Sequence, residues 1–345
     1  MRRLTIDRLP TTATVGVRNV ITSRAPGHPS CHEGRLPRTG RQQTGGEGHT
    51  LSSMARGAAR APSSGEESLD ARLSALADRL RELDSLLVAF SGGADSAFLL
   101  AAAVRVLVAE NVVAATADSD SLPRSELDKA REFAASLGVR HVTPHTDEMQ
   151  RAGYRANAGN RCYFCKAELI DVLRPLANEL GIAHVATGTN ADDAVAGFRP
   201  GIRAAAERGA VTPLRDAELT KEQVRAASRR WGLPTWDKPA AACLSSRIAY
   251  GIEVSPHRLS RVERAETALR SWLASAGVAV RDLRVRDVGD RARIEVDADA
   301  VPVLMRSPGA HDVVRDAGFV EVEVDPHGFR SGSMNELLAQ PERFR

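Results

Sequence analysis

The stretch LLVAFSGGADSAFLLAAAVRVLVAE, Leu86 to Glu110, decides the architecture. Its first five residues form a short apolar run, the length of a buried strand rather than of a helix. SGG breaks the run, and SAFLLAAAVRVLVAE continues as an apolar, alanine-rich helix. A strand that turns directly into a helix across glycines is one unit of an alternating α/β fold.

Working outward, the same alternation recurs. Upstream, Leu69, Leu73, Leu76, Leu80 and Leu83 step by four and three residues, one apolar stripe on a helix. Downstream, VVAATAD (112–118), HVTPH (141–145) and HVATGTN (184–190) read as further strands, separated by helical stretches at 124–137 and 166–180. Strands alternating with helices predict a doubly wound parallel sheet, an α/β domain over residues 67–235. Past Trp236 the texture changes. SPHRLSRVERAETALRSWLASAG (255–277) has a Ser-Pro start and a Gly stop, the marks of a helix. LRVRDV and ARIEVD alternate as strands across GDR, a hairpin-like turn, and a helix and FVEVEVD follow. Residues 236–345 therefore read as a smaller α+β domain. No internal repeat is visible.

Residues 1–66 are rich in Arg, Gly, Thr, Ser and Pro and lack periodicity. They read as a disordered tail, or as sequence upstream of a true start at Met54. Arg-rich, acid-poor N-termini also occur as transit peptides. Cys31 lies there and is given no role. The chain has 345 residues, and 43 of its 47 basic residues are arginine, a coding bias that makes any single surface arginine weak evidence. The net charge of +3 is an average: residues 1–56 carry nine Arg and three acids, so the remainder is −3. A mildly acidic body has no nucleic-acid footprint. No apolar stretch reaches membrane-spanning length. Four cysteines at this size make no disulfide framework, and a reducing cytoplasm is expected.

SGGADS, Ser91 to Ser96, carries the first chemistry. Gly92 and Gly93 allow close backbone approach, and amides at a helix N-terminus face an anion, here the pyrophosphate part of ATP. Asp95 is placed to hold Mg²⁺ against those phosphates, and Ser91 and Ser96 offer hydroxyls. The loop does not match GxxxxGK[ST], so kinase or GTPase chemistry is disfavoured. The hexapeptide resembles the PP-loop of the ATP pyrophosphatase superfamily. That likeness implies cleavage between the α and β phosphates, adenylation of a substrate oxygen, and adenine contacts near Ala117, Asp118 and Ser119.

Later segments narrow the choice. TGTNADD (187–193), FRPGIRAAAERGAVTPL (198–214), WDKPAAACLSSRIAYG (236–251), LRVRDVGDRARIEV (283–296) and GFRSGSMNE (328–336) occur in that order. Together they resemble the LarE family over residues 70–345. The resemblance implies an enzyme that thiolates a pyridinium dicarboxylate mononucleotide on the path to the nickel-pincer nucleotide of lactate racemase. Its partners would be that small molecule and a sulfide source, with no nucleic acid and no membrane, and a homo-oligomer is expected. A tRNA-thiolating PP-loop enzyme would want a basic face, and an amidotransferase-type ligase would want a glutaminase-like domain. Within the likeness, Arg199, Ser246, Arg247, Glu266, Arg284 and Arg286 fall on substrate positions. In the strand reading RVR, Arg284 and Arg286 share one face.

NRCYFCKAE (160–168) places Cys162 and Cys165 two residues apart. On the residues alone this CxxC suits a metal clip, a redox pair, a disulfide or packing. A closed zinc site needs a fourth ligand, for which nearby His184 is one candidate. The resemblance adds two precedents. Some members sacrifice a cysteine at the position of Ala242 here, leaving dehydroalanine. Others hold a [4Fe-4S] cluster on three cysteines. Cys162, Cys165 and Cys243 resemble the second pattern, and a Cys₃ site leaves one iron open. Cys243 as a sacrificial or persulfide donor stays open as the other reading.

Overall fold

The computed structural model describes residues 64–195, 199–239, 243–330 and 332–334. The readings of residues 1–63, with Cys31 and Met54, and of Ala242 lie outside the described residues. Residues 64–66, read as tail, instead begin helix α1 (Ser64–Arg81). Its leucine stripe faces inward, with Leu76 and Leu80 fully buried.

The strand–loop–helix unit forms as read: β1 (Leu86–Ala89) is buried throughout and α2 (Ala94–Leu107) follows. Next come β2 (Val112–Ala115), α3 (Arg124–Ser136), β3 (Arg140–Val142), α4 (Ala152–Arg155), α5 (Arg161–Glu179) and β4 (Val185–Thr187). The four strands pair in parallel in the order β3-β2-β1-β4. β1 is central, and its apolar run serves both faces of the sheet. Leu86, Val88 and Phe90 pack into one core with α1, α2 and α3, while Leu87 and Ala89 join Ile170 and Leu173 of α5 in another. Helices on both faces require strands that are apolar at every position.

The strands are shorter than their apolar runs. Beyond Ala115 only one bridge, Asp118 to His145, continues the pairing. The ladder becomes irregular there, with Thr116 N still donating to Val142 O at 3.0 Å, and Thr116 and Ala117 line a pocket. An edge absent from the sequence reading lies beyond β4: Val211 N donates to Val185 O at 2.9 Å and Thr187 N to Val211 O at 3.0 Å. Short helices α6 (Ala191–Val195), α7 (Pro200–Glu207) and α8 (Pro213–Asp216) then lead to α9 (Lys221–Arg230).

The later region holds a second sheet, in the order β5 (Leu283–Val288), β6 (Arg291–Val296), β7 (Glu321–Val324). β5 and β6 form the antiparallel hairpin, and β7 lies parallel to β6 after α11 (Val301–Met305) and α12 (Pro308–Asp316). Helix α10 (Pro256–Ser275) covers the sheet. Ser255 caps it, accepting from Arg258 N at 3.3 Å, with Pro256 in the first turn. Tyr154 of α4 is buried in this second core beside Leu244 and Ile248. Among the described residues no helix is long and apolar enough to cross a membrane.

The start of α2 is fixed by close packing. A Cβ on Gly188, just past β4, would lie 2.8 Å from Ser96 N and 2.9 Å from Ser96 Cα. Both atoms are backbone and cannot swing away. Gly188→Ala is expected to lower unfolding stability by about 1–3 kcal/mol through overpacking, as measured by urea denaturation. Unchanged stability would show that β4 and α2 can part freely.

Candidate active site

The order β3-β2-β1-β4 reverses direction between β1 and β4, the place where open α/β sheets bind ligands beyond their strand ends. A pocket of about 460 Å³ opens there. Its wall takes residues following β1 (Ser91, Gly93, Asp95, Ser96) and β2 (Thr116, Ser119), with Thr187 at the end of β4 and Gly188 after it.

Gly92 adopts φ 72°, which glycine accepts without strain. Gly93 caps α2 with no side-chain hydrogen bond, so the first-turn amides of this 14-residue helix are left for an anion. The two serines brace the loop: Ser91 Oγ and Ser96 Oγ lie 3.2 Å apart, and Ser96 Oγ donates to Gly93 O at 3.1 Å. Asn190 Nδ2 donates to Asp95 Oδ1 at 3.2 Å. Burial holds the Asp95 carboxyl above its ordinary range, with the Asn190 hydrogen bond and the Lys221 charge opposing. Ser119 is buried in the wall, whereas Asp118 turns away to Arg124, 2.5 Å distant, whose hydrogen bond lowers its pKa. Asp118 and Gly92 are therefore beside the pocket rather than in its lining.

Several participants gave no signal in the sequence. Buried Glu148 lines the pocket, accepting from Ser121 Oγ at 2.7 Å and Thr146 Oγ1 at 3.1 Å. Lys238 Nζ donates to Gly92 O at 2.9 Å and to Glu126 Oε2 at 2.6 Å. Lys238 and Asn190 stand inside segments quoted for their likeness, and a polar residue within such a segment is the clue that could have singled them out.

Helix α5 begins at Arg161, five residues before the start read near Lys166, so the CxxC lies inside it. Cys162 and Cys165 are i and i+3, neighbours on one face. Leu244 N donates to Ser121 O at 2.8 Å, which ties the third cysteine's segment to the loop after β2. Cys165 and Cys243 consequently line the same pocket, while Cys162 is exposed. Burial pushes the Cys165 thiol well up, and Cys243 and Glu148 add to this through their charge. Protein packed on the inner side of Cys162 likewise raises its thiol, opposed by the Arg161 guanidinium. Arg161 is itself buried, donating to Ser245 O at 2.8 Å and to Asn157 Oδ1. All three described cysteines are free thiols. His184 precedes β4, at the end of the sheet away from the pocket, which removes it as a fourth ligand. Among the described residues no three His, Cys, Asp or Glu side chains are grouped to hold a single metal ion.

The arginines form a second, buried constellation. Arg247 grips Glu266 through Nε at 2.9 Å and Nη2 at 3.2 Å, and reaches Cys243 O at 3.0 Å. Arg286 grips Glu295 at 2.9 and 2.6 Å and donates to Ser246 O at 3.2 Å. Glu266 also accepts from Val285 N at 3.0 Å, so it is a buried partner rather than a solvated acid. Arg284 lies over the Phe329 ring, 5.2 Å from its centroid. Burial first, then the charges of Arg247 and Arg286, push its pKa down to about 10. Ser246, Arg247, Glu266, Arg284 and Arg286 thus come together. Arg199 does not join them; it lines the pocket beyond the parallel sheet, 3.8 Å from Asp193.

Because Glu295 is 1% exposed, removing its partner strands a buried charge. Arg286→Ala is expected to cost about 3–5 kcal/mol of stability, with the double variant Arg286→Ala/Glu295→Gln recovering much of it in denaturant unfolding. Equal stabilities for the two variants would show that the pair is not coupled.

No family model matches the chain. An uncharacterized protein of Synechocystis sp. is 41% identical over 275 residues, covering 79% of this chain and 100% of that protein. The pyridinium-3,5-bisthiocarboxylic acid mononucleotide synthase of Lactiplantibacillus plantarum is 33% identical over 264 residues, covering 76% of this chain and 93% of that enzyme. An uncharacterized protein of Methanocaldococcus jannaschii is 27% identical over 175 residues, covering 51% and 66%. At 33% identity across 76% of this chain and 93% of that enzyme, this chain belongs to the LarE family, that of pyridinium-3,5-bisthiocarboxylic acid mononucleotide synthase.

Proposed function

We propose that the chain is an ATP-dependent sulfur transferase with a PP-loop fold. It adenylates a carboxylate of a pyridinium dicarboxylate mononucleotide and replaces carboxylate oxygen by sulfur, on the path to the nickel-pincer nucleotide. One observation carries the reading: Ser91, Gly93, Asp95 and Ser96 of the loop line the same pocket as Cys165 and Cys243. Activation and sulfur delivery can then act on one carbon without release of a reactive intermediate.

The loop amides and the serine hydroxyls bind the β and γ phosphates, and Asp95 would hold Mg²⁺ beside them. A substrate carboxylate oxygen attacks the α-phosphorus, and pyrophosphate leaves with its bonding electrons. The resulting acyl-adenylate carries AMP on the carbon to be thiolated. A sulfur nucleophile adds to that carbon, the C–O bond to AMP breaks, and a thiocarboxylate remains. The loop contributes position and fixed dipoles rather than covalent chemistry. Arg247, Arg284 and Arg286 would orient the anionic substrate, with Ser246 on the same turn, Glu266 fixing Arg247, and Arg199 at the rim.

Cys162, Cys165 and Cys243 fit a [4Fe-4S] cluster in donor chemistry, being three unpaired thiols with two in one pocket and the third one helical turn away. Such a cluster, when bound, supplies an open iron at which exogenous sulfide is held. Arg161 is the buried cation that offsets thiolate charge there.

Two measurements test this. Asp95→Asn is expected to slow substrate-dependent pyrophosphate release by about 10²–10³ while the unfolding midpoint stays put; a wild-type rate would take Asp95 out of the site. Anaerobically purified protein is expected to contain about four iron and four acid-labile sulfide per chain. Replacement of Cys162, Cys165 or Cys243 by Ala should remove the cluster and stop thiolation while pyrophosphate release continues. Metal-free protein that loses the mass of H₂S from Cys243 in one turnover would establish sacrificial donation instead.

A further inference from the structure

Lysine is rare in this chain, four residues against 43 arginines. All four stand about the pocket. Lys166 lines it, and the charge of Lys221 acts on Asp95. Lys129 and Lys238 share Glu126 of the pocket wall, donating at 3.0 Å to Oε1 and 2.6 Å to Oε2. Where arginine otherwise supplies the positive charge, lysine marks a place for a compact ammonium with three donors rather than a planar fork.

Lys238 occupies such a place. Its ammonium bridges the Glu126 carboxylate and the carbonyl of Gly92, 2.9 Å away. In a trans peptide the carbonyl and the following N–H point to opposite sides. Holding Gly92 O against Lys238 therefore turns Gly93 N–H the other way, and Gly93 lines the pocket while Gly92 does not. The peptide has little hold of its own. Gly92 is free in φ, and the Gly93 amide has only a long contact to Ser91 Oγ, at 3.5 Å.

We propose that Lys238 is a positioning residue for the nucleotide loop: it sets the Gly92–Gly93 peptide so that the Gly93 amide faces the pyrophosphate moiety of a nucleoside triphosphate, and Glu126 fixes the ammonium. Lys238 touches no phosphate in this role; it acts through the backbone. The same residue lies five positions before Cys243, so the loop is braced from the segment that also carries the third cysteine. The inference rests on the ATP reading given above.

The test is equilibrium binding of ATP, inorganic pyrophosphate and AMP to the full chain and to Lys238→Met and Lys238→Gln, with unfolding midpoints measured alongside. Lys238→Met is expected to weaken ATP and pyrophosphate about tenfold or more and to leave AMP affinity and the midpoint unchanged. Lys238→Gln keeps an N–H donor for Gly92 O and is expected to recover part of the loss; it carries the same comparison should Lys238→Met not fold. Wild-type ATP affinity in both variants, or equal losses for ATP and AMP, would overturn the positioning role while leaving the ATP reading intact. A wild-type chain that binds no ATP would overturn that reading and this inference with it.

Discussion

The rest of the site depends on how closely the amino end of α2 is held against the end of β4. Gly188 meets the Ser96 backbone with no room for a side chain. That contact fixes where the open amides of α2 point, and it places them at the crevice where the strand order reverses. Every other wall is arranged around this fixed element: Ser119 from beyond β2, Cys165 from α5 and Cys243 from the segment tied to Ser121. A helix end buried without partners would be unfavourable. Left facing a pocket, its first-turn amides stay open to the crevice.

The elements of the parallel sheet were legible because their signal is local. An apolar run such as Leu86–Ala89 fills both faces of a covered sheet, and the leucine spacing of α1 shows which face is buried. Strand ends were read too long for a physical reason. Thr116 still donates its amide to Val142 O at 3.0 Å, but past Ala115 the regular ladder gives way to a single bridge and Thr116 and Ala117 line the pocket. Composition cannot separate a residue paired in a sheet from one lining a cavity just beyond it. The start of α5 is not legible because RCYFC lacks helical periodicity of its own; Cys165 packs against the second core while Cys162 is exposed.

The site was legible where residues carry their chemistry in sequence neighbours, as in SGGADS, and hidden where it arises from long-range pairing. Glu148 is in a plain loop by sequence, yet it is buried and takes two hydroxyl donors. Lys238 reaches across 146 positions to Gly92 O. Asp118 shows the converse. It follows β2 where an adenine contact is expected, but Arg124, six residues on, draws its carboxylate away. Spacing can nominate a residue; only the partners of its side chain decide where it points.

Arginine content says nothing in a chain this rich in it, but burial does. Solvent-exposed pairs such as Arg79 with Glu82 contribute little. Arg247 and Arg286, each at about one-twentieth exposure, are held by buried glutamates: Arg247 by both oxygens of Glu266, and Arg286 by two donors on one oxygen of Glu295. Removing such charges from water is unfavourable unless the geometry is good and every donor is used. Arg284, between them, reports the balance. Its pKa is depressed to about 10, first by lost solvation and then by the positive charge of Arg247, with Glu266 and Asp282 only partly offsetting these. Burial is the largest cause, so the depression reports first how little water reaches this guanidinium among its charged neighbours. The fold holds this guanidinium with little hydration, which is why carboxylates accompany the arginines into the interior.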